Sequence, residues 1–161
     1  MKTGFPAIAD ANTRLFILGS LPGDKSLRDA RYYAHHTNQF WKLVGAIAGQ
    51  DIDALSYDRR LIRLKELGIG LWDVIDAARR EGSADSAIRD ATHNPIGGLK
   101  LQYPRLEAIA FNGGAAAKVG RRLLAGVEGV HLYDLTSSSG LAGIPLTEKI
   151  NRWRVISRHL N

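Results

Sequence analysis

The strongest constraint on this chain is a recurrence. Short apolar runs, each closing on a Gly- or Ser-rich loop, alternate with segments of helical spacing. Arg14–Gly19 (RLFILG) reads as a buried strand, followed by Ile69–Ile75, Glu107–Phe111 (EAIAF) and Gly129–Leu135 (GVHLYDL). Between them, Phe40–Ala48 places Phe40, Val44, Ile47 and Ala48 on one side of a helix. Tyr57–Leu67 repeats Leu61, Leu64 and Leu67 among basic residues. Ser83–Asp90 reads as a short helix capped by Ser83. Asn94-Pro95 starts a helical turn, since Asn caps well and Pro is tolerated at the first helical position. Ala115–Leu124 and Thr147–Leu160 read as helices, the latter capped by Thr147 with Ile150, Trp153 and Ile156 inward. Strands that alternate with helices make an α/β fold, a mainly parallel sheet with helices on both faces.

Such a sheet binds ligands beyond the carboxyl ends of its strands. Three loops answer that description: Gly19–Ser26, Asn112–Ala115 and Thr136–Gly143. They are expected to converge.

Composition narrows the chemistry. At 161 residues, with 45% hydrophobic and 24% charged, the chain is expected to be one folded domain, residues 1–161. No apolar run approaches the roughly 18 residues of a membrane span, and without a basic stretch followed by an apolar core near the N-terminus no secretory signal is expected. With no cysteine there are no disulfides, thiol nucleophiles, thiolate zinc sites or thiolate-held iron–sulfur clusters, which fits a reducing cytoplasm. The five histidines form no HExxH pair, so no metal is expected. The net charge of +6 divides into +3 over residues 1–50, −1 over 51–100 and +4 over 101–161. Solubility alone accounts for it; so does a field drawing a polyphosphate backbone.

Three segments carry the chemistry. Gly19-Ser-Leu-Pro-Gly-Asp-Lys-Ser26 nearly matches the phosphate-cradling G-x-x-x-x-G-K-[ST] loop, but Asp24 stands where the second glycine belongs and would repel a triphosphate. Ser20, Leu21, Pro22 and Gly23 then form a tight loop presenting backbone N–H groups. In Tyr32-Tyr-Ala-His-His-Thr-Asn-Gln-Phe-Trp41, Phe40 and Trp41 dock into the core. Asn38 either caps the helix beginning near Gln39 or offers its amide to a water or substrate. In Leu135-Thr-Ser-Ser-Ser-Gly-Leu-Ala142, the serines offer hydroxyls and N–H groups to phosphates. Leu141 either anchors the loop or is a wedge for a base stack.

The order GSLPG, YYAHHTNQFW, a strand ending FNGG, then SSSGL resembles the uracil-DNA glycosylase superfamily, nearest its hypoxanthine-DNA glycosylase branch and related to the mismatch-specific uracil/thymine glycosylases. The likeness runs from Leu15 to about Ile156. It implies a three-layer α/β/α domain around a four-stranded, mainly parallel sheet. It also implies a monomer that needs no cofactor and acts on DNA containing a deaminated base. Mismatch-specific members have GxNPG, whose Asn positions the attacking water. Here that position is Leu21, and the hypoxanthine branch relies instead on the Asn of NxFW, Asn38. Tyr33 matches an aromatic that stacks on the flipped base, though the pattern leaves Tyr32 open as well. Asn112 matches a residue that reads the base edge, accepting from N1–H of hypoxanthine or donating to O6. Ser137, Ser138, Ser139 and Gly140 match a loop that pinches the DNA backbone, and Leu141 an intercalating residue. The chain departs from its relatives at Thr136 or Gly140 and at His36, where proline is common.

The implied reaction is hydrolysis of an N-glycosidic bond after the base is flipped out. Asn38 positions the water, and His35 is a second candidate because an imidazole can exchange protons near neutrality. N–H groups of Leu21 to Gly23 face the charge developing on the base. Removal of uracil from mismatches, a non-catalytic damaged-DNA-binding module and a small nucleotide-binding protein are the competing readings.

Overall fold

A computed structural model describes residues 1–161. In chain order the elements are β1 (Lys2–Thr3), β2 (Leu15–Gly19), α1 (Asp24–Asp29), α2 (Phe40–Ala48), α3 (Tyr57–Glu66), β3 (Ile69–Asp73), β4 (Ile75–Arg79) and β5 (Arg89–His93). They continue with α4 (Leu99–Gln102), β6 (Ala108–Asn112), α5 (Gly114–Leu123), β7 (His131–Leu135) and α6 (Leu146–Trp153). Short 3-10 turns occupy Asp85–Ala87, Ile96–Gly98 and Arg154–His159.

The four expected strands form one parallel sheet in the order β3-β2-β6-β7. The period-2 alternation of strand side chains divides the core in two. Leu15, Ile17, Ala108, Ala110, Ile69 and Leu71 pack on one face with residues of α2 and α6, including Phe40, Leu43, Val44 and Trp153. Phe16, Leu18, Ile109 and Phe111 pack on the other with Leu99 and Ala116. Helices therefore cover both faces, and central β2 is buried along its whole length. Gly120 of α5 lies against Phe111, which brings that helix close to the sheet.

Several boundaries differ from the sequence expectation. Ile69–Ile75 is not one strand. The chain leaves the parallel sheet at Val74, and β4 joins a second, antiparallel sheet of order β1-β4-β5. Ser83–Asp90 is not a helix capped by Ser83; it holds the 3-10 turn and the start of β5, and Ser83 Oγ accepts from Asp24 N–H instead. β5 (RDATH) is mostly exposed, so pairing with β4 rather than apolar periodicity makes it a strand. Asn94 does not cap the following turn; its side-chain amide donates to the Asp73 carbonyl. The closing helix starts one residue before Thr147, makes no side-chain cap there, and tightens to 3-10 after Trp153. No helix is long and apolar enough to cross a membrane.

Candidate functional site

At the carboxyl ends of the strands two of the three expected loops, at Asn112 and at the serines, come together with the segment Tyr33–Gln39 through a continuous row of polar side chains. Asn112, the last residue of β6, donates from Nδ2 to Ser138 Oγ at 2.8 Å and to the Tyr33 hydroxyl at 3.3 Å. Its Oδ1 accepts from Ser138 N–H at 2.8 Å. Ser138 Oγ in turn donates to Asn38 Oδ1 at 2.9 Å, and the Ser138 carbonyl accepts from Gln39 N–H at 2.8 Å. The β7 loop is thus sewn to both the end of β6 and the start of α2.

Asn38 serves one of its two expected purposes visibly: Oδ1 accepts from Phe40 N–H at 3.0 Å, tying down the first turn of α2. That bond also fixes which end of the amide is oxygen. With Phe40 N–H and Ser138 Oγ–H both directed to Oδ1, its lone pairs are taken, and Nδ2 makes no hydrogen bond within the protein.

Tyr33 and Tyr32 separate cleanly. Tyr32 is a core residue, 3% exposed, whose hydroxyl donates to the Pro6 carbonyl. Tyr33 reaches the site. Its ring stacks on Phe40 with centroids 4.0 Å apart and planes 13° from parallel. Its φ of 53° lies in the left-handed region, a strained conformation for a bulky residue; the Phe40 stack and the Asn112 bond hold it there. Burial pushes the Tyr33 phenol above its ordinary range, with nearby Asp73 adding to the effect.

The serine loop does not present three equivalent hydroxyls. Ser138 is 1% exposed and spends its polar atoms on Asn112, Asn38 and Gln39. The expected contact of Ser138 with a DNA backbone is therefore closed, because the loop turns that side chain inward. Ser137 Oγ accepts from Ser139 N–H and Ser139 Oγ from Leu141 N–H, so both hydroxyl protons remain free to donate outward. Gly140 passes so close to Thr37 that a Cβ there would lie 2.6 Å from the Thr37 carbonyl. A side chain at that point would push the loop off the Asn38 segment. Leu141 is 94% exposed and anchors nothing.

In the first loop, Leu21 and Pro22 are buried, and Leu21 packs with Phe16, Leu18 and Phe111. The N–H groups of Leu21 and Gly23 make no hydrogen bond within the protein. Ser20 Oγ donates to Asp85 at 2.6 Å, which turns Ser20 toward the antiparallel sheet. Asp24 is paired with Lys2 at 2.6 Å. His35 Nδ1 bonds the Thr37 hydroxyl at 2.8 Å, and its ring stacks on His36; both histidines are exposed and neither joins the polar row. No three His, Asp or Glu side chains gather as a metal-holding group.

Three residues that the sequence reading did not single out shape this end of the molecule. Arg80, just past β4, has a fully buried side chain and donates to the carbonyls of Pro22 at 2.6 Å, Leu21 at 3.5 Å and Gly82 at 2.9 Å. It holds the first loop by its backbone. Lys149 of α6 is fully buried and donates from Nζ to Gln39 Oε1 at 2.8 Å and the Ser139 carbonyl at 3.0 Å; burial lowers its pKa. It bolts the serine loop to the start of α2. Asp73, the last residue of β3, lies opposite Gly19 in the register and is 5% exposed. Its Oδ2 is sealed from solvent without a hydrogen-bond partner. Burial, with a contribution from Asp85 and against the pull of Arg80, raises its pKa to about 7. In sequence, the signal for Asp73 was a carboxylate interrupting an apolar run. Arg80 and Lys149 gave none, since only tertiary acceptors distinguish them from surface cations.

Known proteins share this fold and much of this sequence. Residues 5–156 match the family described as the Uracil DNA glycosylase superfamily. A protein of Methanosarcina acetivorans named hypoxanthine DNA glycosylase is 43% identical over 159 residues, 99% of each chain. One of the same name from Methanosarcina barkeri is 42% identical over 152 residues, 94% of this chain and 95% of that one. The solution NMR structure of a candidate uracil DNA glycosylase from Methanosarcina acetivorans superposes with a TM-score of 0.88 at 43% identity, covering 98% of this chain and 97% of the other. With the family matched over nearly its whole length and the expected parallel sheet in place, this chain belongs to the uracil DNA glycosylase superfamily.

Proposed function

We propose that this protein is a monofunctional DNA glycosylase that hydrolyses the N-glycosidic bond of a flipped-out deaminated base, hypoxanthine before uracil, and leaves an abasic site. The observation that carries this reading is the bonded row Asn112–Ser138–Asn38 beside Tyr33 at the carboxyl ends of the strands. The two relatives named hypoxanthine DNA glycosylase support the choice of base. So does Leu21: an apolar, buried side chain stands where mismatch-specific uracil enzymes need a water-positioning amide.

Phe40 covers one face of Tyr33, so a base stacks on the other, worth roughly 1–3 kcal/mol. Both Nδ2 hydrogens of Asn112 are engaged, which disfavours donation to O6. Oδ1 keeps a lone pair, so acceptance from the N1–H of hypoxanthine is the role left to it. Asn38 meets the attacking water through its free Nδ2–H, or through Oδ1 once the Ser138 hydroxyl rotates away. Either way it positions the water rather than taking its proton, because a neutral amide is a poor base. The open N–H groups of Leu21 and Gly23 suit the negative charge growing on the departing base. Ser137, Ser139 and surface cations contact phosphates, and exposed Leu141 enters the vacated stack. The enzyme acts as a monomer, without metal or cofactor, on cytoplasmic DNA.

The test is a panel of labelled duplexes carrying inosine, uracil, xanthine or ethenocytosine, with alkali cleavage revealing abasic sites. Fastest release from the inosine duplex is expected. Fastest release of uracil opposite guanine overturns the substrate assignment. Tight binding with no cleavage of any duplex makes the protein a damaged-DNA-binding module.

A further inference from the structure

The polar row does not stop at Tyr33. A Cβ built on Gly19, at the carboxyl end of β2, would lie 3.2 Å from the Tyr33 hydroxyl and 2.6 Å from Asp73 Oδ1. No side chain fits at buried Gly19, so these two oxygens close over its Cα and bring the Asp73 carboxyl up beside the Tyr33 hydroxyl. Across the strand order β3-β2-β6, the site therefore runs from Asp73 over Gly19 and Tyr33 to Asn112 and on to Ser138 and Asn38. Every other polar side chain in that row has a protein partner. The Asp73 carboxyl accepts no hydrogen bond from the protein, and Oδ2 is buried with nothing to satisfy it. A carboxyl kept at such cost belongs to a class of group enriched at functional sites.

We infer that Asp73 is the general acid of this site, delivering its carboxyl proton to a ring nitrogen of the departing purine, N7 in hypoxanthine. The inference rests on the proposed glycosylase reading and deepens it. As the C1′–N9 bond breaks, its electron pair goes to the base; the loop N–H groups meet the partial charge that grows before the Asp73 proton reaches N7, and with that proton the base leaves neutral. A water oxygen forms the new bond to C1′, and the proton it sheds passes to solvent, from which Asp73 is reprotonated. One water is consumed, and the products are the free base and an abasic sugar. An acid of this kind must hold its proton near neutrality, and the surroundings favour that. Burial and the Asp85 carboxylate oppose ionisation, Arg80 alone favours it, and the neighbouring phenols of Tyr32 and Tyr33 carry no compensating charge.

The experiment is single-turnover release of hypoxanthine by the wild type and Asp73→Asn between about pH 5.5 and pH 9. The wild-type rate is expected to fall about tenfold per pH unit above about pH 7. Asp73→Asn should be slower by about 10²- to 10⁴-fold at the acid end and lack the falling limb. Full activity in Asp73→Asn, or the same falling limb in both proteins, overturns the inference while the glycosylase reading stands. A wild type that releases no hypoxanthine overturns that reading instead. A second readout needs no variant: the ¹³C carboxyl resonance of Asp73 in the wild-type protein should titrate near pH 7. A midpoint at the ordinary aspartate value, about 4, overturns the inference as well.

Discussion

Beneath the amino ends of β6 and β7, Glu107 is held by Arg14 at 2.9 and 3.1 Å and by His159 at 2.9 Å, and His159 bonds Tyr133, which Arg158 also meets at 2.8 Å. At the carboxyl ends of the same sheet the row from Asn38 to Tyr33 is neutral, and its one acid, Asp73, has no partner. The Arg14 and His159 bonds draw the Glu107 carboxyl down to about 2, whereas burial lifts Asp73 to about 7. A cleft of about 390 Å³ opens at the Glu107 end, yet that is where the acid is paired. The contrast separates a network that satisfies its charges from one that leaves hydrogen-bonding capacity unspent. Unspent capacity, more than an open volume, marks where a substrate is taken.

The comparison breaks most visibly at Asn38. Asn38→Ala should slow excision by about 10²-fold or more, since positioning a nucleophile supplies several kcal/mol. The lost bond to Phe40 N–H should cost only about 1 kcal/mol of stability, readable by urea unfolding. Ser138→Ala cuts the row in the middle and strands polar atoms of Asn112 and Asn38, so a loss of about 1–3 kcal/mol is expected together with slower excision. Ser137→Ala leaves the row intact, so stability and the single-turnover rate at saturating protein should be nearly unchanged, with only a modest loss of DNA affinity from its phosphate contact. Leu141→Ala should leave stability within about 0.5 kcal/mol yet slow release from a paired base more than from a mispaired one; equal slowing would remove the wedge.

Two stability measurements sharpen the contrast in pH. The raised pKa of Asp73 means that the stability it allows is fully present below the unfolded value of 3.8 and is lost as pH rises through about 7. Asp73→Asn should therefore raise Tm at alkaline pH, by roughly 2–4 °C for each kcal/mol recovered, and have little effect in acid. Glu107 has the opposite sign. Its contribution is present above the unfolded value of 4.5 and is lost as pH falls toward about 2. Because its side chain is 41% exposed, solvent screening holds that contribution to about 1 kcal/mol or less. Glu107→Gln should flatten the acid limb of a thermal-melt series and leave excision unchanged.

The parallel sheet was legible because each of its strands is an apolar run, and the three loops because glycine and serine close those runs. The antiparallel sheet was hidden: exposed β5 has no apolar period, and β4 continues the apolar run of β3, so two strands read as one. The same continuity concealed Asp73 as a strand interior when it is a strand end. Asn38 was legible as a residue but not as a geometry, because its bond to Ser138 spans a hundred residues of sequence. The serine triplet reads as uniform, and only the fold turns Ser138 inward while Ser137 and Ser139 keep free hydroxyl protons. Lys149 sits beside Ile150, which the helical period marked as inward; the lysine is the residue fully buried there, because Gln39 and the Ser139 carbonyl await it.

The central claim is that the nucleoside is taken at the carboxyl ends of the parallel strands. The direct measurement is an NMR titration of isotope-labelled protein with a duplex carrying a 2′-fluorinated, cleavage-resistant deoxyinosine. The account predicts that backbone shifts concentrate at Leu21–Gly23, Tyr33–Asn38, Asn112–Gly113 and Ser137–Leu141, with the Glu107 end unmoved. Shifts gathered instead at His131, Arg158 and His159 would contradict it.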